Sequence, residues 1–208
     1  IFAEKTGLII PIGNWVIDEA CRQLREWHLQ GHTDWSMAVN LSTLQFEQPS
    51  LVKTVLDCLT RHSVPPGMLI LEVTETTAMS NPDESVRVLT ALTDVGVKAS
   101  IDDFGTGYSS LLYLKRLPAC ELKIDRAFVK ELSGESEDAT IVSAIIALAK
   151  TLNLKVVAEG VETAAQQTFL TELGCNTLQG YLLGKPITAQ AIMEQCQHGE
   201  MSPSRMQS

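Results

Sequence analysis

Hydrophobic and polar positions alternate along the chain in two patterns, one of strand length and one of helical period. Six short apolar runs bounded by glycine, proline or polar residues predict strands at residues 37–42, 68–75, 97–103, 121–125, 155–159 and 177–183. Longer stretches between them predict helices at residues 12–29, 136–152 and 163–173, the last stopped by Gly174. Strands that alternate with helices over short connections predict a parallel sheet covered by helices.

Two α/β architectures fit this alternation, an open doubly wound sheet and a closed eight-stranded barrel. The glycine-rich phosphate-binding turn of a dinucleotide fold does not follow the first predicted strand, which disfavours the open sheet. Polar residues at the strand ends favour the barrel. Because only six strands are predicted and the chain opens in a helix, we expect a TIM-like (β/α)8 barrel that lacks its first one or two strands.

The predicted strands finish in polar or charged residues directly after their apolar positions. In chain order these residues are Asn40, Glu72, Asp102, Asp103, Lys123, Asp125, Glu159 and Gln179. The C-terminal ends of parallel barrel strands meet at one rim, where barrel enzymes hold their active sites, so we expect the side chains to converge there. A single carboxylate or asparagine after a strand is equally well explained as the N-cap of the next helix, but capping does not explain Lys123 or Gln179.

Most of these side chains offer hard oxygen ligands. Converging carboxylates repel one another unless a cation lies between them, and Asn, Glu and Asp oxygens suit Mg²⁺ or Mn²⁺ better than zinc or copper. The five cysteines are widely spaced and form no Cys-x-x-Cys pair, which argues against a zinc site or a disulfide framework. Beside a divalent ion, Lys123 is suited to neutralise developing charge or hold the attacking hydroxide, and Glu159 to accept a proton from water.

Net charge and hydropathy exclude some classes of binding partner. The chain has 208 residues and a formal net charge of -9, which argues against a nucleic-acid polymer or an anionic membrane surface as its partner. No apolar stretch approaches the roughly 20 residues that span a bilayer, so a cytoplasmic location is expected, with a parent protein that could be membrane-anchored. Three tryptophans in or beside the first predicted helix are expected to pack in the core: Trp15, Trp27 and Trp35.

Seven short motifs follow one another in a fixed order over nearly the whole chain. They are Asn40-Leu41-Ser42, Glu72-Val73-Thr74-Glu75, Asp102-Asp103-Phe104-Gly105-Thr106-Gly107-Tyr108-Ser109-Ser110-Leu111, Leu122-Lys123-Ile124-Asp125, Ala158-Glu159-Gly160-Val161-Glu162-Thr163, Gln179-Gly180-Tyr181 and Lys185-Pro186. In this combination the chain resembles the EAL family of cyclic di-GMP phosphodiesterases. The resemblance implies a modified barrel with one antiparallel strand, which hydrolyses one phosphodiester of cyclic di-GMP to linear pGpG with Mg²⁺ or Mn²⁺.

The resemblance also implies a role for each polar residue by its motif position. The implied metal ligands are Asn40, Glu72 and Asp102 for one ion and Asp103 for a second. Lys123 corresponds to the lysine near the attacking water, and Glu159 corresponds to the general base. The implied substrate-binding residues are Gln179, Asp125 and Glu162. Glu75 corresponds to a glutamate that steadies the Asp-Phe-Gly loop, a segment tied in the family to metal binding and dimer contacts.

One family motif is absent. The Glu-Ala-Leu signature, whose glutamate is a metal ligand in the family, is expected upstream of Ile1, so residues 1–198 are expected to form an EAL-type domain incomplete at its N-terminus and residues 199–208 a flexible tail. We therefore expect weak activity from this chain alone. The resemblance further implies a homodimer and a fused sensory or diguanylate-cyclase domain in the parent. The alternative is a non-catalytic cyclic di-GMP receptor, which the retained Lys123, Glu159 and aspartate pair disfavour.

Overall fold

The computed structural model describes residues 2–107, 110–132 and 136–197, without the side chain of Gln197. These residues form two compact units, each continuous in space but not in sequence. The first unit comprises Ile1–Ile101 and Gly107–Cys120, and the second comprises Asp102–Thr106 and Glu121–Ser208. The predicted tail at residues 199–208 and two motif residues, Tyr108 and Ser109, lie outside the described residues.

The first unit combines parallel strands with helices. Its elements are α1 (Phe2–Lys5), α2 (Ile9–Leu29), β1 (Met37–Asn40), α3 (Thr43–Phe46), α4 (Leu51–His62), a 3-10 turn (Pro66–Met68), β2 (Leu69–Thr74), α5 (Glu75–Ser80), α6 (Pro82–Asp94), the start of β3 (Lys98–Phe104) and α7 (Leu111–Leu114). β1 and β2 are parallel and pair from Met37 opposite Leu69 to Asn40 opposite Glu72. Apolar side chains of β2 and of the helices fill the core, among them Leu69, Leu71, Ile17, Leu24 and Val55.

The second unit repeats the strand–helix alternation. After the end of β3 its elements are β4 (Glu121–Ile124), α8 (Arg126–Lys130), α9 (Glu137–Thr151), β5 (Lys155–Glu159), α10 (Ala164–Glu172), β6 (Thr177–Gln179) and α11 (Ala189–Gln197). β4 and β5 are parallel, with Lys123 opposite Val157, and β5 and β6 are parallel, with Glu159 opposite Gln179. The polar ends of neighbouring strands are thereby brought to one edge of this sheet, because parallel strands share a direction.

The predicted elements agree with the observed ones except at particular boundaries. The helix predicted from residue 12 begins at Ile9, since Pro11 falls within its first turn, where a missing N–H costs nothing. The last strand, predicted to residue 183, ends at Gln179 because the chain turns at Gly180. A Cβ at Gly180 would lie 2.1 Å from the carbonyl oxygen and 2.3 Å from the nitrogen of Val161, so only glycine permits this approach.

The tryptophans divide between the core and the surface. Trp27 and Trp35 are buried and meet edge to face with their ring centroids 5.2 Å apart. The expectation for Trp15 was wrong, because its side chain is 64% exposed. The buried stripe of α2 passes through Gly13 and Ile17. Trp15 stands two residues from each of them, and two residues correspond to about 200° around a helix, on the opposite face.

No helix among the described residues is long and apolar enough to cross a membrane. All five cysteines are free thiols.

Candidate metal centre

Three carboxylates of the second unit converge at the ends of β3 and β5. One oxygen from each of Asp102, Asp103 and Glu159 lies within 4.8 Å of the others, a spacing that one divalent ion could bridge. Consecutive strand residues ordinarily point to opposite faces of a sheet. Asp103 departs from this rule because its φ is 53°, in the left-handed region that Asp and Asn tolerate best among non-glycine residues. Its backbone N–H donates to Asp102 Oδ1 at 2.9 Å, which joins the two residues.

Lys123 supplies the positive charge within this cluster. It lies on β4 with only 5% of its surface exposed. Its Nζ is 3.2 Å from Asp102 Oδ1 and 2.7 Å from Glu159 Oε1. A buried ammonium requires such partners, since removing an unpaired charge from water is very costly. The structure therefore brings together three predicted site residues from three strands.

The charge of the cluster is not fully balanced. Burial, the Asp102 carboxylate, and then Asp125 and Glu159 raise the pKa of Asp103 from 3.8 to about 6. A nearby cation would oppose this effect and lower the pKa of Asp103, since it favours the ionised carboxylate. This raised pKa and the hard oxygen ligands both fit a divalent ion at the cluster.

A stability measurement tests this repulsion without any substrate. The unfolded chain releases the Asp103 proton near pH 3.8 and the folded chain near pH 6, so the free energy of unfolding should fall as pH rises between these values. Asp103→Asn keeps a residue suited to positive φ and removes the charge. We expect it to stabilise the metal-free protein by about 1–2 kcal/mol at pH 7, after allowance for solvent screening. Urea unfolding measures this gain, which should vanish below about pH 4; a gain independent of pH would contradict the explanation.

The first unit holds three further predicted residues. Asn40 and Glu72 are paired in register at the ends of β1 and β2, where Leu41 N donates to the carbonyl oxygen of Glu72 at 2.8 Å. The Glu72 side chain is buried, whereas Asn40 is exposed. Glu75 is 2% exposed at the start of α5, and its carboxylate accepts the backbone N–H of Gly107 at 3.4 Å. This contact joins Glu75 to the loop that the family resemblance implies it steadies, and that role stays a prediction.

The predicted substrate-binding residues differ in their surroundings. Asp125 is the N-cap of α8, since its Oδ1 accepts the N–H of Ala127 at 2.7 Å, and its carboxyl is one of the groups that raise the pKa of Asp103. The capping interpretation applies to this residue, and its role in substrate binding stays a prediction. Glu162 and Gln179 are exposed at the ends of the neighbouring β5 and β6 segments.

Sequence comparison identifies the family. The profile described as EAL domain matches residues 2–186, which is most of the chain. The chain belongs to the EAL domain family. It is 65% identical over 191 residues to the bifunctional diguanylate cyclase/cyclic di-GMP phosphodiesterase MucR of Pseudomonas aeruginosa, covering 92% of this chain and 28% of MucR. It is 46% identical over 192 residues to the cyclic di-GMP phosphodiesterase NbdA of the same organism, covering 92% of this chain and 24% of NbdA.

The EAL domain thus spans about a quarter of the length of these curated relatives. A solved structure described as the PaMucR phosphodiesterase in complex with c-di-GMP resembles this chain with a TM-score of 0.90 and 65% identity. The match covers 92% of this chain and 77% of that one. The predicted family and the predicted TIM-like α/β class are both confirmed by these matches.

Sequence reasoning missed one part of the second unit, a pocket whose lining includes the residues that follow Asp125 and Glu159 in the chain. A pocket of about 410 Å³ is lined by Arg126, Ala127, Lys130, Gly160 and Glu162. Gln166, a buried residue of α10, contacts the segments on both sides of this pocket. The Thr-x-x-Gln spacing from Thr163 is a capping-box signature that predicts one of these contacts. Nothing in the sequence pattern indicates the other.

Proposed function

We propose that this EAL domain hydrolyses one phosphodiester bond of cyclic di-GMP to give linear pGpG, with Mg²⁺ or Mn²⁺ as its cofactor. The observation that carries the proposal is the ion-paired arrangement of Lys123 between Asp102 and Glu159, with Asp103 in reach of both carboxylates. A buried lysine ion-paired with two carboxylates at strand ends is typical of a site where charge is used in catalysis. The relatives MucR and NbdA carry the activity in their names.

The proposed ligands are oxygen donors throughout. Asp102 and Asp103 would hold the cation with their carboxylates, and their closeness to Glu159 supports this assignment. We assign Asn40 and Glu72 to metal binding from the family resemblance, supported by their adjacent positions at two strand ends. A bound divalent ion supplies Lewis-acid chemistry, which polarises a phosphoryl oxygen and acidifies water.

The side chains of the domain itself then act as follows. The Lys123 ammonium donates to Glu159 and Asp102, so it fixes the direction of both carboxylates and balances part of their charge. A water that enters beside Glu159 can give its proton to the second carboxylate oxygen, and Lys123 can hold the hydroxide that remains. Asp125, Glu162 and Gln179 are the proposed contacts for the rest of the dinucleotide.

A turnover assay tests the proposed function. The full-length protein is incubated with cyclic di-GMP and either Mg²⁺ or Mn²⁺, and the products are separated by anion-exchange chromatography. We expect pGpG to form with either ion. When EDTA removes the ion, the formation of pGpG should stop. Tight binding of cyclic di-GMP without any turnover would overturn the proposal and identify a receptor instead.

We also propose a homodimer of the EAL domain in the cytoplasm, fused in its parent to a sensory or diguanylate-cyclase domain. Leu111 and Leu112 of α7 support the dimer, because they expose 59% and 68% of their surface at the end of the loop motif. The name of MucR, which includes a diguanylate cyclase, supports the fusion. Multi-angle light scattering measures the oligomeric state, and a monomer at all concentrations would contradict the dimer.

A further inference from the structure

Gln166 joins two segments of the second unit through one buried side-chain amide. The residue lies in the first turn of α10 and is 6% exposed. Its Oε1 accepts the backbone N–H groups of Glu162 at 2.8 Å and Thr163 at 2.9 Å. Its Nε2 donates to the carbonyl oxygens of Val129 at 2.8 Å and Lys130 at 3.2 Å. The amide therefore uses both of its donors and both acceptor positions of its oxygen.

The segment that receives the Nε2 hydrogen bonds is α8, a helix of five residues. A helix of this length has little stability of its own. Two contacts hold this helix, one from the loop after β5 and one from α10. At one end Gly160, with φ 74°, packs so closely that a Cβ on it would lie 2.7 Å from Arg126 Cβ. At the other end Gln166 holds the carbonyl oxygens of the last helical residues.

The position of α8 determines where three charged side chains lie. Its N-cap, Asp125, lies near Asp103 of the carboxylate cluster and helps to raise the pKa of that residue. Two of its side chains, Arg126 and Lys130, line the pocket beside Glu162. If α8 moved away from the loop after β5, Asp125 would move with it, and the cluster would lose one of the negative charges that surround Asp103 and attract a cation.

We propose that Gln166 is a positioning residue, whose amide holds α8 against the loop after β5 and thereby fixes Asp125 beside the carboxylates of the metal centre. The inference deepens the proposed function and rests on it for any effect on turnover. The effect on the conformation of α8 does not depend on that function.

Two variants of Gln166 and one control test the roles of the oxygen and the nitrogen of its side-chain amide. Gln166→Glu keeps an oxygen to accept from Glu162 and Thr163, but its second oxygen cannot donate and faces two carbonyl oxygens. Gln166→Met removes both halves at similar volume. Thr163→Ala is the matched control, because it removes the other half of the α10 capping box, in which the Thr163 hydroxyl accepts from Gln166 N within α10 itself.

Mn²⁺ binding and hydrogen exchange are the two main measurements, and urea unfolding checks that each variant folds. We expect Gln166→Glu and Gln166→Met to bind Mn²⁺ about 10–100-fold more weakly than the wild type, as is typical when a supporting partner of a metal ligand is lost. Thr163→Ala should stay within about twofold. In Gln166→Glu the Leu132 amide, which bonds to Val129 at the end of α8, should exchange faster, while the amides of Glu162 and Thr163 stay protected. In the turnover assay, Gln166→Glu should reach most of the wild-type kcat when Mn²⁺ is saturating.

The competing explanation is that Gln166 only caps α10. Two results would support that explanation and overturn our inference. In the first, Gln166→Glu binds Mn²⁺ as tightly as the wild type and its α8 amides exchange at the wild-type rate. In the second, Thr163→Ala binds Mn²⁺ as weakly as Gln166→Glu. Should Gln166→Met fail to fold, Gln166→Glu decides. If the wild type forms no pGpG, the proposed function fails, whereas the exchange of α8 still supports or refutes the role of Gln166.

Discussion

Replacing Glu159 with glutamine should lower kcat for cyclic di-GMP hydrolysis by about 10²–10⁴-fold, the range typical of a lost general base. The amide has the size of the carboxylate, and its oxygen can still accept the hydrogen bond that Lys123 now makes at 2.7 Å. What the variant loses is the capacity to take a proton from water. The measurement is pGpG formation at saturating substrate and Mn²⁺, so that weaker binding does not contribute.

The matched control for this prediction is Glu172→Gln, which changes an exposed glutamate at the end of α10 in the same unit. It should leave kcat unchanged. A Glu159→Gln protein that folds, binds Mn²⁺ and retains more than about a tenth of the wild-type kcat would exclude Glu159 as the general base.

Gly180→Ala should destabilise the protein by about 2–4 kcal/mol, a large effect for the addition of one methyl group. The new Cβ would overlap the backbone of Val161, with the carbonyl oxygen 2.1 Å and the nitrogen 2.3 Å away. Backbone atoms cannot rotate aside as a side chain can. The chain after β6 must therefore move, which breaks the hydrogen bonds from Val161 N to Gln179 O and from Leu182 N to Val161 O.

Urea unfolding of Gly180→Ala beside Gly184→Ala checks this expectation. A methyl group added at Gly184 would meet nothing within 4 Å, so this substitution should cost little. The loop after β5 also follows directly on Glu159, so Gly180→Ala should reduce activity as well as stability. Equal stability for the two alanine variants would show that the chain relaxes without cost at Gly180.

The sequence predicts most of the sheet and part of the site. All six strands are found where the sequence has an apolar run that ends in polar residues. The apolar run marks the buried part of each strand, and the polar residues mark its C-terminal end. Lys123 is a useful signal, since a lysine that ends an apolar run is unexpected unless carboxylates neutralise it. The structure places it against Asp102 and Glu159.

The features that escaped prediction depend on contacts between distant residues or on the backbone. A strand pattern gives Asp102 and Asp103 opposite directions, and only the left-handed φ of Asp103 brings their carboxylates together. Gln166 contacts the end of α8 from 36 and 37 residues away, which no local pattern encodes. Tryptophan is a residue type that usually packs in the core. Trp15 lies at the surface because of its angular position on α2.

The raised pKa of Asp103 has a consequence for the lifetime of the protein in a cell. Anything that binds the folded chain in preference to the unfolded chain increases its resistance to unfolding, and a divalent ion at this cluster would do so by relieving the repulsion among the carboxylates. Proteases degrade chains chiefly when they unfold. With the proposed cation bound, the domain should therefore be degraded more slowly by a protease than without it.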